Sequence, residues 1–328
     1  MKPLSPTEAW LLRSGARLLS PGGAGGSLLV LIYHRVLAQP DPILPDEPDA
    51  ELFAAHMDLV ARLFNVLSLG EAIERLRSRS LPPRAVAITF DDGYVNNLEV
   101  AAPILAARGL TATFFITTGF IEGGQMFNDL VIEAVRGAPG DLDLRPLGLQ
   151  HYALDSLERR RQAIDGILQR LKYLAPAERL RQAEAIAGIA GVSGRMQLMM
   201  TERQLRELAS HGMEIGAHCV THPILARLPA EAARHEILSS KDRLEAILGR
   251  AVRTFAYPNG RPGTDYAREH VAMVREAGFS AAVSTAWGAA SKGVDYYQVP
   301  RVAPWDRSAL KYGLRMVRSF TQRRARTV

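Results

Sequence analysis

Two short polar motifs carry the residue types that could bind a divalent cation and activate water. Thr-Phe-Asp-Asp-Gly occupies residues 89–93, and His-Cys-Val-Thr-His-Pro occupies residues 218–223. Adjacent carboxylates can divide the work, because one can bind a cation while the other stays free as a base. Two imidazoles four residues apart can converge on one cation if the backbone turns helically between them. Two imidazoles and one carboxylate leave coordination positions open, which is typical of a catalytic metal site.

Each motif also has a purely structural interpretation. Asp91 or Asp92 could cap the helix that follows, since Asp is a preferred N-cap residue. A third motif, Phe-Ala-Tyr-Pro-Asn-Gly at residues 255–260, ends in residues that strongly favour a turn. It could therefore simply connect a strand to a turn. The shared location of the three motifs favours chemistry. Each lies at the end of a predicted strand, and the carboxyl ends of the strands form the active-site face of a β/α barrel.

The elements that must position these motifs alternate between buried strands and helices. Continuous apolar runs predict strands that are buried on both faces at residues 27–33, 85–90, 111–117, 213–217, 254–257 and 280–284, with a short one around 298–302. Helical spacing of apolar residues predicts helices at residues 52–64, 202–210, 230–248 and 266–277, and a further helix that ends near Gly109. This alternation predicts the α/β class, with a parallel sheet or barrel.

Three segments depart from this alternation. Residues 121–200 change pattern, and the stretch 157–189 has helical periodicity, which predicts a helical insertion. We therefore expect an N-terminal amphipathic extension (1–26), a barrel (27–310) that contains the insertion, and a basic C-terminal tail (311–328). The tail carries four arginines, Arg318, Arg323, Arg324 and Arg326. A solvated end is the plainest interpretation of the tail, and contact with an anionic surface is the alternative.

Composition excludes several classes of protein. The chain has 328 residues, of which 47% are hydrophobic and 23% charged, and these values exclude a disordered or coiled-coil protein. The net charge is a mild +6, and no stripe of interleaved aromatic and basic residues predicts a nucleic-acid partner. The single cysteine, Cys219, excludes an internal disulfide framework.

Membrane insertion is not expected from the sequence. No stretch approaches the ~20 apolar residues that span a bilayer. The apolar run Trp10-Leu11-Leu12 is interrupted by Arg13, unlike the core of a signal peptide. We therefore expect a cytoplasmic protein, with peripheral attachment to the inner membrane through the amphipathic N-terminal extension or the basic tail as an open alternative.

The three motifs, in this order, resemble those of the polysaccharide deacetylase family, also called the NodB-homology fold and carbohydrate esterase family 4. The resemblance covers about residues 27–305, interrupted by the helical insertion. It implies a distorted (β/α) barrel of the NodB-homology type that removes N-acetyl groups from amino sugars with a divalent metal, commonly zinc. Carried over to this chain, Asp91 matches the general base and Asp92 the metal-binding carboxylate. His218 and His222 match the two metal imidazoles.

This sequence departs from the common family pattern in two places. Ala256 stands where many members have an arginine that orients the base, and Arg301 is a candidate to replace it. Those members also have a late Leu-x-His that supplies the general acid, whereas no histidine follows His270 here. His34 ends the first predicted strand and resembles the acid of the biofilm-polysaccharide deacetylase branch. The alternative is a structural histidine bonded to a backbone carbonyl.

The resemblance leads to an expected function and leaves rivals open. We expect a metal-dependent hydrolase that removes N-acetyl groups from an N-acetylated saccharide, with Tyr257 and Asn259 near the substrate or the developing oxyanion. One rival is an esterase or amidase of the same fold that acts on a non-sugar substrate. Another is a non-catalytic saccharide-binding barrel, and a third is an insertion that docks a membrane or a glycan-synthesis partner. No nucleic-acid partner is expected.

Overall fold

The computed structural model describes residues 1–192, 197–323 and 325–328. Its central sheet is parallel throughout and has the strand order β1-β3-β4-β7-β8-β9, with β2 also paired to β3. The strands of the sheet are β1 (Leu28–Tyr33), β2 (Asn65–Leu67), β3 (Ala85–Phe90), β4 (Thr113–Ile116), β7 (Glu214–Ala217), β8 (Thr254–Ala256) and β9 (Ala281–Val283). A separate antiparallel hairpin consists of β5 (Asp141–Asp143) and β6 (His151–Ala153).

Helices surround the sheet, and a helix lies near each end of the chain. They are α1 (Pro6–Leu19), α2 (Ala50–Leu63), α3 (Leu69–Arg77), α4 (Ala102–Ala106), α5 (Phe127–Gly137), α6 (Leu157–Leu171), α7 (Pro176–Ile189), α8 (Glu202–Ser210), α9 (Ala230–Leu248), α10 (Arg268–Glu276) and α11 (Ala309–Ser319). A π-helical turn, Asn97–Ala101, precedes α4. The bounds predicted for α8 and α9 agree with those observed, and α2 and α10 differ from their predictions by one to two residues at their ends.

Alternating side chains of the strands build two apolar layers. Leu28 and Val30 of β1 lie inside the barrel, whereas Leu29 and Leu31 pack under the outer helices. Because successive side chains of a strand point to opposite faces, a strand that is buried on both sides is apolar on both faces or satisfies its polar groups, as Thr89 does by donating a hydrogen bond to the Leu31 carbonyl. This is why the six residues of β3 are all buried, and why a continuous apolar run predicted that strand.

The last predicted strand is only partly formed. Within residues 298–302, Val299 bridges to Val283 of β9 and Val302 bridges to Leu31 of β1. These are isolated bridges, so the short strand predicted around 298–302 is formed only in part. The segment nevertheless connects the two edge strands of the sheet, which gives the architecture of a distorted barrel.

The insertion is a small unit with its own apolar core. Helices α5, α6 and α7 pack together with the β5–β6 hairpin around Val135, Ile167 and Ile186. The sequence predicted the helices but not the hairpin, whose strands are only three residues long. The guanidinium of Arg160 on α6 ties the unit together by donating hydrogen bonds to the carbonyls of Val135 and Ala138. Residues 193–196 of the predicted insertion lie outside the described residues.

The two chain ends pack against the barrel rather than extending from it. Helix α1 buries Ala9, Leu12 and Ala16, and α11 buries Tyr312 and Met316, among others. The predicted boundary between residues 310 and 311 falls inside α11 and is corrected to a position before that helix. The expectation of a solvated tail is therefore wrong for α11, because its apolar face is covered by α1 and α2. The predicted tail residue Arg324 lies outside the described residues.

Across the described part of the chain, no helix combines the length and the apolarity that crossing a membrane requires.

Close packing at Gly216 makes the interior of the barrel sensitive to a single methyl group. A Cβ added at Gly216 would lie 2.5 Å from the ring of Phe115 and 2.8 Å from the Thr254 hydroxyl oxygen. We expect Gly216→Ala to lower the free energy of unfolding by about 1–3 kcal/mol, measured by denaturant unfolding. The matched control is Gly188→Ala in α7, where, apart from the adjacent residues and the helix's own nearby backbone, no atom of the described residues lies within 4 Å of the added Cβ. That control should be neutral or stabilising. Equal effects of the two substitutions would contradict this account of the barrel interior.

Candidate active site

The register of the first two paired strands places His34 and Asp91 side by side. Tyr33, the last residue of β1, pairs with Phe90, the last residue of β3. The Asp91 N–H then donates a hydrogen bond of 2.9 Å to the Tyr33 carbonyl, which extends this pairing past the strand end. His34 and Asp91 therefore leave adjacent strands at the same level, at the carboxyl edge of the sheet. Both line one cavity of about 330 Å³.

Backbone conformations that non-glycine residues rarely adopt shape the strand-end loops. Asp92 has φ +78° and is followed by Gly93 at +96°, so the chain turns sharply directly after β3. Cys219 and His222 have φ +63° and +53° in the loop after β7. Such conformations cost free energy and persist where the surrounding structure enforces them, often at functional sites.

Asp92, His218 and His222 converge on one point. Oδ1 of Asp92 lies 3.6 Å from Nε2 of His218 and 3.6 Å from Nε2 of His222. One potential ligand atom from each of the three residues lies within 4.8 Å of the others. The structure thus brings together the three residues that the resemblance implied as metal ligands.

Hydrogen bonding around the three side chains fits a bound cation. The Nδ1–H of His218 donates a 2.7 Å hydrogen bond to the Ala256 carbonyl, which fixes the tautomer and leaves the Nε2 lone pair facing Asp92. Oδ1 of Asp92 is buried and has no hydrogen-bond partner within the described ranges. A buried, unsatisfied carboxylate oxygen is costly unless a cation compensates it. The three residues therefore suit a divalent metal.

Arg301 takes up the charge of the second carboxylate. Its NH1 and NH2 groups donate hydrogen bonds of 2.7 and 2.8 Å to the two oxygens of Asp91, and its Nε–H donates to the Ser284 carbonyl. The guanidinium is fully buried. Burial alone would raise the pKa of Asp91, but the positive charge of Arg301 and the nearby His218 hold that pKa well below its usual range. Asp91 is therefore ionised and rigidly oriented.

Asp92 has the opposite electrostatic environment. Burial and the neighbouring carboxylates of Asp91 and Asp129 raise the pKa of Asp92 to about 7, although His34 opposes this shift. Burial lowers the pKa of both His218 and His222, which favours the neutral imidazoles that a metal requires.

Two groups from outside the motifs hold the histidine loop in place. The carboxylate of Glu236 on α9 accepts hydrogen bonds of 2.7 and 2.9 Å from the backbone N–H groups of Val220 and Thr221. From the other side, Arg179 of the insertion donates a 3.1 Å hydrogen bond to the His222 carbonyl. The Arg179 guanidinium also stacks over the Phe127 ring at 4.3 Å and is nearly buried. The insertion is thereby tied to the loop that carries two of the three candidate ligands.

The cavity has one wall from the barrel and one from the insertion. The barrel contributes His34, Asp91, Asp92, His218, His222, Asn259 and Thr285. The insertion contributes apolar side chains and the polar groups Asn128, Asp165, Gln169, Lys172 and Arg179. Asn259 therefore lines the cavity, and its place near the substrate or the developing oxyanion stays a prediction. His34 is exposed to solvent and lines this cavity as well as a second one of about 440 Å³.

Tyr257 does not lie at the site, and its predicted place near the substrate is corrected. Its side chain is fully buried, stacks on Tyr266 with ring centroids 3.9 Å apart, and donates a hydrogen bond to the Tyr297 carbonyl. The side chain points into the apolar layer under the outer helices, because Tyr257 continues the alternation of β8 and Ala256 has the inward position.

The sequence did not point to three residues at the site, which are Arg179, Asp129 and Glu236. Only Arg179 leaves a recognisable pattern in the sequence. Buried positions of α7 are Arg179, Ala183, Ile186 and Ala187, so Arg179 is a lone charge on an apolar helix face. Such a charge is rarely buried without a partner, which is a signal for a structural or functional contact. Asp129, whose pKa burial raises to about 6, and Glu236 left no comparable pattern in the sequence.

Comparison with known families gives one domain match. Residues 78–282, more than half of the chain, match the family model described as polysaccharide deacetylase. YxkH of Bacillus subtilis (strain 168), whose name places it among the polysaccharide deacetylases, is 23% identical over 277 residues. That alignment covers 84% of this chain and 70% of YxkH. These matches confirm the family resemblance that the three motifs carry.

Solved structures share the fold at low sequence identity. The Streptococcus pyogenes deacetylase PplD, solved with acetate, has a TM-score of 0.61 and 19% identity, and covers 89% of this chain and 98% of its own. IcaB from Ammonifex degensii has a TM-score of 0.57 and 20% identity, and covers 89% and 97%. The deacetylase domain of BpsB from Bordetella bronchiseptica has a TM-score of 0.51 and 20% identity, and covers 84% and 95%. The predicted fold class, a distorted barrel of the NodB-homology type, is confirmed.

The contact between Arg179 and the histidine loop predicts that the insertion supports metal affinity. We expect Arg179→Met to weaken Zn²⁺ binding by about 10–100-fold, as is usual when a group that orients a metal ligand is lost. The measurement is a titration of metal-free protein against a chelator of known affinity. Arg181→Met is the matched control, because Arg181 lies on the same helix but is exposed. An affinity that is unchanged in Arg179→Met would show that the loop holds its shape without the insertion.

The raised pKa of Asp92 predicts how metal binding depends on pH. Below about pH 7 the carboxylate is protonated in the metal-free protein, so binding must displace a proton. The histidines do not compete, because their pKa values are lowered. The association constant for Zn²⁺ should therefore fall by up to about tenfold per pH unit below pH 7 and level off above it. Asp92→Asn should bind weakly and lose this dependence, and a wild-type constant that is flat across pH 7 would contradict the assignment.

Proposed function

The chain belongs to the polysaccharide deacetylase family, and from this premise we propose that it hydrolyses N-acetyl groups of an amino-sugar oligo- or polysaccharide, or of a glycan precursor. The observation that carries the proposal is the pair of adjacent carboxylates in one cavity. Arg301 holds Asp91 ionised, and Asp92 faces two imidazoles without any hydrogen bond to its Oδ1 from the described residues. One carboxylate is thus prepared to accept a proton and the other to bind a cation.

Asp92, His218 and His222 would hold the divalent cation, and zinc is the metal we propose, because two imidazoles and a carboxylate are a common zinc ligand set. A cation at this point supplies Lewis-acid polarisation of the acetyl carbonyl and favours deprotonation of water.

Asp91 is the proposed general base. Its Oδ2 lies 3.9 Å from Nε2 of His218, so this oxygen faces the point where the three ligand atoms converge. There it accepts the proton of the attacking water. The bidentate hydrogen bonds from Arg301 fix the carboxylate and limit the directions from which that proton can arrive. In this proposal Arg301 orients the base, which is the role that the resemblance gives to a third-motif arginine, so Ala256 does not argue against catalysis.

His34 is the proposed general acid. It faces the same cavity from the end of β1, next to Asp91, and is open to solvent, so it can be reprotonated after each turnover. Protonated His34 donates its proton to the amine nitrogen as the C–N bond breaks, since an amide anion is a poor leaving group. The products are acetate and the free amino sugar. Asn259 lies in the same cavity, and its backbone N–H is the proposed donor to the developing oxyanion.

The shape and lining of the cleft support a saccharide substrate. The polar side chains of Asn128, Asp165 and Gln169 on the insertion wall suit hydroxyl groups. His34 and Thr285 line both the catalytic cavity and the second cavity of about 440 Å³, in which Trp287 and Trp305 offer aromatic surface. A cleft that continues on both sides of His34 has room for more than one sugar.

The experiment that tests this function compares acetate release from N-acetylglucosamine oligomers with release from an O-acetyl ester. We expect faster release from the amide substrates, and a preference for the ester would favour the esterase alternative. Asp91→Asn and His34→Ala should each lower kcat by about 10²–10⁴-fold while zinc content stays near that of wild type, because neither residue is a ligand.

Matched controls for these two variants are Asp242→Asn and His211→Ala, which remove the same side-chain types from exposed positions. Both controls should keep full activity. Loss of zinc in Asp91→Asn, or wild-type activity in His34→Ala, would overturn the corresponding role.

A further inference from the structure

Helix α1 is apolar on two opposite sides. Its inner side buries Leu12 and Ala16 against the barrel. On the outer side Trp10, Leu11 and Leu18 are 66%, 56% and 83% exposed. A helix that packs on one side is normally polar on the other. The outer apolar side of α1 has no partner within residues 1–192, 197–323 and 325–328.

Helix α11 extends this apolar surface. Leu310 and Leu314 on its outer side are 39% and 52% exposed. The two helices lie directly against each other, because Leu12 of α1 occupies the space beside Gly313 of α11. We call the surface formed by Trp10, Leu11, Leu18, Leu310 and Leu314 the terminal face.

Basic side chains surround the terminal face. Residues 1–26 contain three basic residues and one acidic residue, and residues 309–328 contain six basic residues and no acidic one. Exposed members beside the two helices include Lys2, Arg13, Arg17, Lys311, Arg318 and Arg323. The one acidic residue, Glu8, is engaged at the start of α1, where its carboxylate accepts a 2.8 Å hydrogen bond from the Ser5 N–H. The surface therefore combines an apolar centre with a positive rim.

We propose that the terminal face binds the surface of an anionic lipid bilayer. Isolated leucines and a tryptophan on a helix that lies flat can enter the boundary between head groups and acyl chains, while the basic rim contacts the lipid phosphates. The same rim disfavours a second copy of the chain as the occupant. A symmetric contact would bring two positive rims together. This interaction goes beyond the deacetylase activity and does not depend on it.

The position of the terminal face relates it to the cleft. Helix α11 begins shortly after Trp305, which lines the second cavity together with Trp287 and His34. A bilayer on the terminal face would therefore lie along the flank of the barrel, beside one end of the cleft. Such an arrangement suits saccharides that are carried at a membrane surface.

The test is flotation of the 328-residue chain with vesicles. One set of vesicles contains phosphatidylcholine alone, and the other contains phosphatidylcholine with phosphatidylglycerol. We expect flotation with the anionic vesicles only, and less of it at high salt. Trp10→Ser combined with Leu18→Ser, and separately Arg13→Gln combined with Arg17→Gln, should each weaken binding at least about tenfold.

Matched controls are Leu238→Ser and the pair Arg203→Gln with Arg250→Gln, which change exposed residues elsewhere on the barrel. They should bind as wild type does, and all variants should release acetate from a water-soluble substrate at the wild-type rate. Absence of flotation, equal flotation with neutral vesicles, or a dimer in light scattering that Trp10→Ser abolishes would each overturn the proposal. An inactive protein that still floats would instead count against the proposed function alone.

Discussion

The site is arranged around one buried carboxylate oxygen that accepts no hydrogen bond from the described residues. Oδ1 of Asp92 lies between two imidazoles at the edge of the sheet, where water is largely excluded. An uncompensated charge at such a position would cost several kcal/mol. The fold reduces this cost in the metal-free state, because Asp92 can keep its proton up to about pH 7. A bound cation would compensate this charge, so its binding below about pH 7 would release the proton of Asp92.

The two adjacent aspartates differ because their surroundings differ. Arg301 gives Asp91 two charge-assisted hydrogen bonds, whereas the carboxylates of Asp91 and Asp129 raise the pKa of Asp92 together with its burial. Environments that push the pKa values of two like groups apart are a recurrent way to assign different roles to the same residue type. In this chain the arginine comes from residue 301, beside the isolated bridge that joins the last segment to β1, and not from the third motif. Arg301 would thus fill the proposed orienting role from another edge of the barrel.

Sequence reasoning succeeded where the determinants are local. Continuous apolar runs identify strands that are buried on both faces, and polar residues at their ends identify the carboxyl edge of the sheet. It failed where the answer depends on distant packing. Whether Tyr257 faces the cavity or the outer layer depends on how far the alternating side-chain directions of β8 continue into the turn that follows this strand. Arg179 contacts the His222 carbonyl across 43 positions of sequence. It lies on a helix of the insertion, whereas His222 lies in a loop that follows a strand.

Side chains of the insertion that line the cavity can be substituted without disturbing the barrel, with the exception of one residue. Because its helices and hairpin enclose their own apolar core, side chains on its cavity wall can differ at little cost to the sheet. Arg179 is the exception, since it reaches from that wall to the backbone of a candidate metal ligand. Movement of α7 would shift the His222 carbonyl and, with it, the imidazole. Substitutions that alter saccharide selectivity at Gln169 or Lys172 should therefore be separable from metal affinity, whereas changes at Arg179 should affect both.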